Sequence, residues 1–398
     1  NIFGSLSTLP REQPIRDNLE QLEEQSREAE RLGRIVAALR PEVDGAVEKL
    51  FGRTLFFDRP TPARLKTWRQ KAQQSAAERA GYAFHAYAQA KFTGIVGRLA
   101  RLVLDAAPKL AIDDPAPIEA VLREELIRRG LETLASPSGG ASAEAIAFFR
   151  EHDIGFRIRR LRLLARRLAR DWEADPEIPD DALEQARDAV YRIVSLYFEK
   201  EGTAALGSRF GDLAERVLQD PGTLLDLIEA QRLLPELDDR AEEMLAEALE
   251  VMPKNLRRRM LLTYLGFPYY DVATLPLLRN EGLTEFDPVK VDRISPDDAR
   301  SIREGGTAAT LRGIEFYNFG AFFSRAYREN DYLWGRLHGC ERMIDLVCST
   351  LDKPFAPETC AHFKREAFHA ILDEEQRTGR CALRLIDEIR AEIVARMP

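Results

Sequence analysis

From Gln13 to Val251 the chain reads as one helical segment after another, each closed by a Pro or Gly break. Segments of this kind can bury their apolar stripes only against one another, so the pattern predicts a mainly α fold. The expected architecture is a multi-helix bundle with at most a short β segment near 289–294, where Val289 to Ile294 alternates apolar and polar residues. Gln13 to Leu39 is a long charged helix in which Glu20, Glu23, Glu24 and Glu28 interleave with Arg27, Arg31 and Arg34 at i,i+4 spacing. Pro60-Thr61-Pro62 starts the next helix, and segments 92–107, 116–134, 142–172, 180–200, 206–219, 222–233 and 238–251 follow. The stretch Ser136-Pro137-Ser138-Gly139-Gly140-Ala141-Ser142 is the most linker-like and is expected to be mobile. With 398 residues, 45% of them hydrophobic, there is ample material for a core. Three regions are predicted: a charged helix over 1–40, a helical bundle over 41–252 and a C-terminal helical region over 253–398.

Past Pro253 the texture changes. Ser295-Pro296-Asp297-Asp298 has the signature of a helix start, with Ser as N-cap, Pro at the first helical position and acids in the first turn. The predicted helix 331–351 carries two stripes. Leu333, Leu337, Cys340, Ile344, Val347 and Leu351 form an apolar face, while Asp331, Gly335, His338, Arg342 and Asp345 share another. Gly335 lacks a side chain and suits a close approach by a neighbour. The charges on the second face fit a structural ion-pair network better than catalysis, because buried charges need partners wherever they occur.

A net charge of −8 argues against nucleic-acid binding, which draws its affinity from cationic side chains. Residues 149–173 depart from that balance. Arg157, Arg159, Arg160, Arg162, Arg166, Arg167 and Arg170 lie across from Ile154, Ile158, Leu161, Ala165, Leu168 and Trp172. That is the pattern of an interfacial helix, with Arg159, Arg162, Arg166 and Arg170 as contacts to an anionic surface and Trp172 as an anchor. It is also the pattern of a bundle helix whose arginines pair with acids such as Glu173, Asp175, Glu177, Asp180 and Asp181, and this second reading is favoured. No run approaches the roughly 20 apolar residues of a membrane span. The first apolar residues are interrupted by Gly, Ser, Pro and Arg, so no signal peptide is expected, and the chain reads as an internal piece of a cytoplasmic-type protein, with peripheral membrane contact as its alternative. Cys340, Cys348, Cys360 and Cys381, with His338, His362 and His369, invite a zinc reading, yet they include no C-x-x-C and no H-x-x-x-H pair. No metal and no cofactor is expected.

The segment from Asn318-Phe319-Gly320-Ala321-Phe322-Phe323 through Asn330-Asp331 and Trp334-Gly335-Arg336-Leu337 to Glu341-Arg342 is similar to the C-terminal region of bacterial patatin-like proteins. Tyr264-Leu265-Gly266-Phe267-Pro268 with Asp271, and Asp287-Pro288-Val289 running to Arg293-Ile294-Ser295-Pro296, support the match. The opening Leu6 to Asp17 resembles the junction that follows the patatin domain, so helix 1–40 would come directly after it. The resemblance implies structural or interaction roles for Phe319, Gly320, Arg325, Arg328, Asn330, Asp331, Trp334, Gly335, Arg336, Glu341 and Arg342. It implies a partner in the patatin catalytic domain of the same polypeptide, whose sheet could also pair the short strand. Tyr327 departs from the pattern, standing where a Trp is expected. Patatin-like enzymes use a Ser–Asp dyad with the Ser in G-x-S-x-G, and no Ser here has Gly at both −2 and +2; Gly140-Ala141-Ser142-Ala143-Glu144 comes closest. Asp44-Gly45-Ala46 resembles the dyad Asp motif but sits inside a helical pattern. The expected function is therefore a non-catalytic helical accessory region of a lipid acyl hydrolase, with a membrane-docking module through 149–173 or an independent hydrolase using Asp331, His338 and Glu341 as alternatives.

Overall fold

The computed structural model describes every residue except 1, 53–58, 137–138, 174, 278–291, 316–323, 352–354 and 398, with the side chains of 2–20 also outside the description. The fold is mainly α. Among the described residues β structure is confined to one antiparallel bridge between Ala135 and Ala141. No described helix is long and apolar enough to cross a membrane.

The chain divides into two compact units, Asn1–Val289 and Lys290–Pro398. The first contains α1 (Ile2–Phe51), α2 (Pro62–Ala80), α3 (Ala83–Ala106), α4 (Ala116–Arg128), α5 (Ala143–His152), α6 (Ile154–Arg166), α7 (Asp180–Phe198), α8 (Arg209–Ala214), α9 (Pro221–Arg232), α10 (Leu234–Val251) and α11 (Lys254–Thr274). The division thus falls later than the 252/253 boundary suggested by sequence texture, because α11 is apolar on most sides and packs into the first unit. Helix α1 also passes residue 40 and Pro41 without a break.

Local chemistry sets the helix starts. Thr61 accepts a hydrogen bond from Arg64 N with Pro62 at the first helical position, Ser142 accepts from Ala145 N, and Asp220 accepts from Thr223 N ahead of Pro221. The single helix expected over 142–172 is in fact two. Asp153 turns out of the helical path and its carboxylate caps α6 by accepting from Phe156 N at 2.9 Å. After Arg166 the backbone widens into a π turn, Arg167–Asp171, that ends at Trp172.

Among the described residues the first unit holds two large apolar cores, with a smaller cluster of Val36, Val43, Phe156, Leu163, Phe267 and Tyr270 where α1 meets α11. One gathers Ile158, Leu161, Leu168 and Trp172 with residues of α7, α10 and α11, and the other gathers Phe92, Leu99, Ile118, Leu122, Phe210 and Ile228. The apolar face of the basic helix is therefore spent inside protein, and Trp172 is only 1% exposed. Where α1 crosses α11, a Cβ on Gly266 would lie 2.7 Å from Val43 Cγ1, so only glycine admits this approach. Phe267, its neighbour, meets Phe156 edge-on at 5.1 Å. The described ends of the linker-like stretch are pinned: Ser136 N donates to Gly140 O and Ser142 N to Leu134 O, both at 2.9 Å, while Gly139 and Gly140 supply φ of +96° and +78°.

The second unit packs the helices Arg325–Ser349, Pro357–Thr378 and Leu383–Arg396 around Leu333, Trp334, Leu337, Phe368, Leu372 and Ile389. Two expectations need correction. Residues 292–294 form no strand, while 289–291 lie outside the described residues. Ser295-Pro296-Asp297-Asp298 makes a turn rather than a helix start. Arg293 grips Asp298 at 2.7 and 2.9 Å, and Asp297 Oδ1 accepts from Thr307 N at 2.9 Å, which commits both acids elsewhere. On Arg325–Ser349 the buried face is Leu333, Trp334, Leu337, His338 and Glu341, with Trp334 under the guanidinium of Arg303, 4.7 Å away, while Val347 is exposed. Gly335 sits in the open, with nothing described within 4 Å of the place of a Cβ, so no close approach explains it.

The two glycines should respond oppositely to the same change. Gly266→Ala is expected to overpack the α1–α11 crossing and cost about 1–3 kcal/mol, whereas Gly335→Ala is expected to stabilise its helix by up to about 1 kcal/mol. Thermal melts of the two variants check this, and a Gly266→Ala protein as stable as the parent would remove the crossing argument.

Candidate functional site

Helices α2, α3, α5, α6, α10 and α11 surround a cavity of about 540 Å³ in the first unit. Its polar side is a set of buried ions. Asp153 faces Lys91 Nζ at 2.8 Å and Arg98 Nη2 at 3.4 Å. Arg157 donates to both oxygens of Asp238 at 2.8 and 2.7 Å, and Tyr197 adds a third bond to that carboxylate at 2.9 Å. Arg159 pairs with Asp271 at 2.8 Å, and Tyr87 hydroxyl donates to the same carboxylate at 2.8 Å while accepting from Lys91 at 3.2 Å. Arg69 pairs with Glu242, and Arg167 donates to Thr263 at 2.6 Å and Tyr270 at 2.9 Å.

These partners govern the protonation states. Burial pushes the Asp238 carboxyl up, but the charge and hydrogen bonds of Arg157, with Arg69 and Arg160 behind it, outweigh burial and hold it down at about 2. Burial acts in the same sense on Asp153, and Lys91, Arg159 and Arg98 drive it well below the usual carboxylate range. Nearby His152 meets the Phe148 ring at a tilt, 5.0 Å between centroids, and burial followed by Arg232 and Arg129 pushes it down to about 3.

The motif residues of the second unit form a separate structural set. Arg325 pairs with Glu329 at 2.7 Å, and Asn330 donates to Thr310 O at 2.8 Å. Asp331 accepts from Arg312 N and Gly313 N, both at 2.7 Å. Arg336 binds Glu374 at 2.6 Å and also Glu375, and Arg342 binds Asp345 at 3.0 Å. Glu341 accepts from Arg300 N at 3.0 Å, Ser301 N at 3.1 Å and Ser301 Oγ at 2.7 Å. Tyr327, the departure from the motif, puts its hydroxyl 2.6 Å from Glu315. Arg328 is engaged, while Phe319 and Gly320 lie outside the described residues. Asp331, His338 and Glu341 do not form a catalytic relay: the buried ring of His338 has no hydrogen-bond partner among the described residues and instead lies against Trp334 at 5.2 Å.

A family model described as "Protein of unknown function (DUF3376)" matches residues 6–391. The chain belongs to that family. No curated protein and no solved structure matches it. The family match takes in both compact units, and with them the buried ions of the first and the motif of the second.

In this DUF3376 chain Arg157 and Arg159 pair with distant aspartates rather than with the acids expected. Arg159 is taken by Asp271, Arg162 lies over Phe198 at 5.5 Å, and the Arg166 guanidinium passes 3.1 Å from where a Cβ on Gly33 would be. Arg170 is likewise engaged. Of the acids nearby in sequence, Glu173 pairs with Arg187 and Asp175 with Arg259. Asp44 lies inside α1, 3.8 Å from Arg40. Among the described residues no group of three or more His, Cys, Asp or Glu side chains is arranged to hold a metal. Cys348 and Cys360 approach to 3.2 Å between sulfurs. The signal that could have located the cavity was Asp271 in the motif of α11, three residues after the Pro268 that lines its wall.

Asp238→Asn would leave buried Arg157 facing a neutral amide, with an expected cost of about 3–5 kcal/mol in urea denaturation. The pH dependence follows from signs. A folded pKa held below the unfolded value adds stability that is present above the unfolded pKa and lost as pH falls towards the folded one. His152 therefore withdraws stability from about pH 6.5 downward at about 1.4 kcal/mol per pH unit, and Asp238 adds to the loss below about pH 4. His152→Leu should flatten the profile between pH 6 and 4; an unchanged slope would show that His152 does not govern it.

Proposed function

We propose that the chain is a non-catalytic helical accessory region of a patatin-like acyl hydrolase that buttresses the catalytic domain of the same polypeptide. The carrying observation is how its motif residues are used. Gly266 and Phe267 make a helix crossing, Asp271 anchors Arg159, and Asn330, Asp331, Arg336 and Glu341 tie loops and helices together. Side chains committed to backbone N–H groups and to buried counter-ions are held in fixed geometry, which suits a rigid support.

Ser301 is the described serine that most invites a catalytic reading, since its Oγ lies 2.7 Å from Glu341 and 3.3 Å from Lys364 Nζ. Two backbone N–H groups already occupy the same Glu341 oxygen, so the carboxylate acts as a clamp on residues 300–301 rather than as a poised base. The purified chain is expected not to hydrolyse p-nitrophenyl butyrate; turnover abolished by Ser301→Ala would overturn the non-catalytic reading. The buttressing reading requires a G-x-S-x-G sequence in the coding region ahead of residue 1, and its absence there would sink it.

A further inference from the structure

The ions around the cavity do not balance. Exposed Arg150 and Glu78 at its wall offset one another, but of the ions set deeper six cationic side chains, Arg69, Lys91, Arg98, Arg157, Arg159 and Arg160, share four carboxylates, Asp153, Asp238, Glu242 and Asp271. Each carboxylate is already held by one or two of the first five. The remainder is Arg160, which lines the cavity, is 2% exposed and makes no ion pair with any described carboxylate. Its Nε is buried without a hydrogen-bond partner among the described residues. Its guanidinium lies 4.2 Å from the centre of the Tyr264 ring and 5.7 Å from that of Phe156, contacts that supply quadrupole attraction but accept no N–H bond. A buried guanidinium demands an anion, and Asp238 and Glu242, the carboxylates that act on Arg160, do so only from beyond ion-pair distance.

The rest of the wall specifies what accompanies that anion. Phe84, Phe149, Phe156, Pro268 and Val272 face the same space, with Ile146 at 49% exposure marking the way out. The volume lies in the range of small-molecule sites, and an apolar wall with a few convergent polar groups is how such sites select ligands. The ligand must carry one compact negative charge on an apolar body.

We propose that this cavity binds a carboxylate-headed amphiphile, with its head group on Arg160 and its apolar body along Phe149, Phe156 and Val272. The inference rests on the cavity alone and stands independently of the accessory reading above. Selectivity follows from the two ends: a neutral head leaves Arg160 unpaired, and an anion without a tail leaves the aromatic wall in contact with water.

Isothermal titration of the full chain with dodecanoate tests the site, with dodecanol and acetate as the separating probes. The expected result is one dodecanoate per chain, with dodecanol and acetate each binding at least tenfold more weakly. Arg160→Gln should weaken dodecanoate at least tenfold, while Arg162→Gln on the same helix should leave it unchanged. Ile146→Glu, at the exposed mouth, should fold normally by circular dichroism and also lose at least tenfold in affinity, so the outcome does not hang on a buried substitution. Failure of dodecanoate to bind, equal binding of dodecanol or acetate, or full affinity in a folded Ile146→Glu chain would each overturn the proposal.

Discussion

The pairing of buried arginines on α6 with aspartates from elsewhere in the chain is the constraint on which the first unit depends. Arg157, Arg159 and Arg160 are all buried on a helix of 13 residues, so three of its charges must be satisfied inside protein. Removing one ion from water costs several kcal/mol, and the cost is recovered only with good geometry and further hydrogen bonds. The bidentate contact of Arg157 with Asp238, completed by Tyr197, joins α6, α7 and α10 at one point. The contact of Arg159 with Asp271, completed by Tyr87, joins α6, α3 and α11 at another. A shift of α6 by one residue would break both at once, so the ions set the helix register that apolar packing alone would leave more degenerate.

The cavity follows from the same arrangement. Helices held apart by guanidinium groups and tyrosines cannot collapse onto one another as an all-aliphatic core would, and Pro268 and the glycines of the 139–140 turn keep the wall from closing. Space and a guanidinium without an ion pair therefore have a common origin in the arginine content of α6.

The second unit solves a different problem, the tying of irregular segments to helices. Asp331 and Glu341 each accept two backbone N–H groups, from 312–313 and from 300–301, and Asp297 accepts one from Thr307. A carboxylate that caps a loop costs little conformational freedom in the rigid helix that carries it and satisfies donors that would otherwise be orphaned. Acids at fixed positions of one helix thus serve as anchor points for a chain with few regular hydrogen bonds of its own.

The sequence by itself determined the helical class and most of the helices, because apolar periodicity and Pro or Gly breaks act over three or four residues, but the caps at Thr61, Ser142 and Asp220 came from the structure, and the one cap read from sequence, Ser295, opens a turn. It also marked the apolar stripe of 149–173 as a core face. It did not reveal the break at Asp153, since a residue that caps the helix after it looks, in a linear reading, like any acid within one. Nor did it pair the arginines correctly: the acids nearest in sequence were the natural candidates, yet Arg157 and Arg159 found Asp238 and Asp271, 81 and 112 residues away. The open surroundings of Gly335, the crossing at Gly266 and the solitary charge of Arg160 were likewise decided only by the tertiary structure. Each depends on which atoms arrive from distant parts of the chain, and no local pattern carries that information.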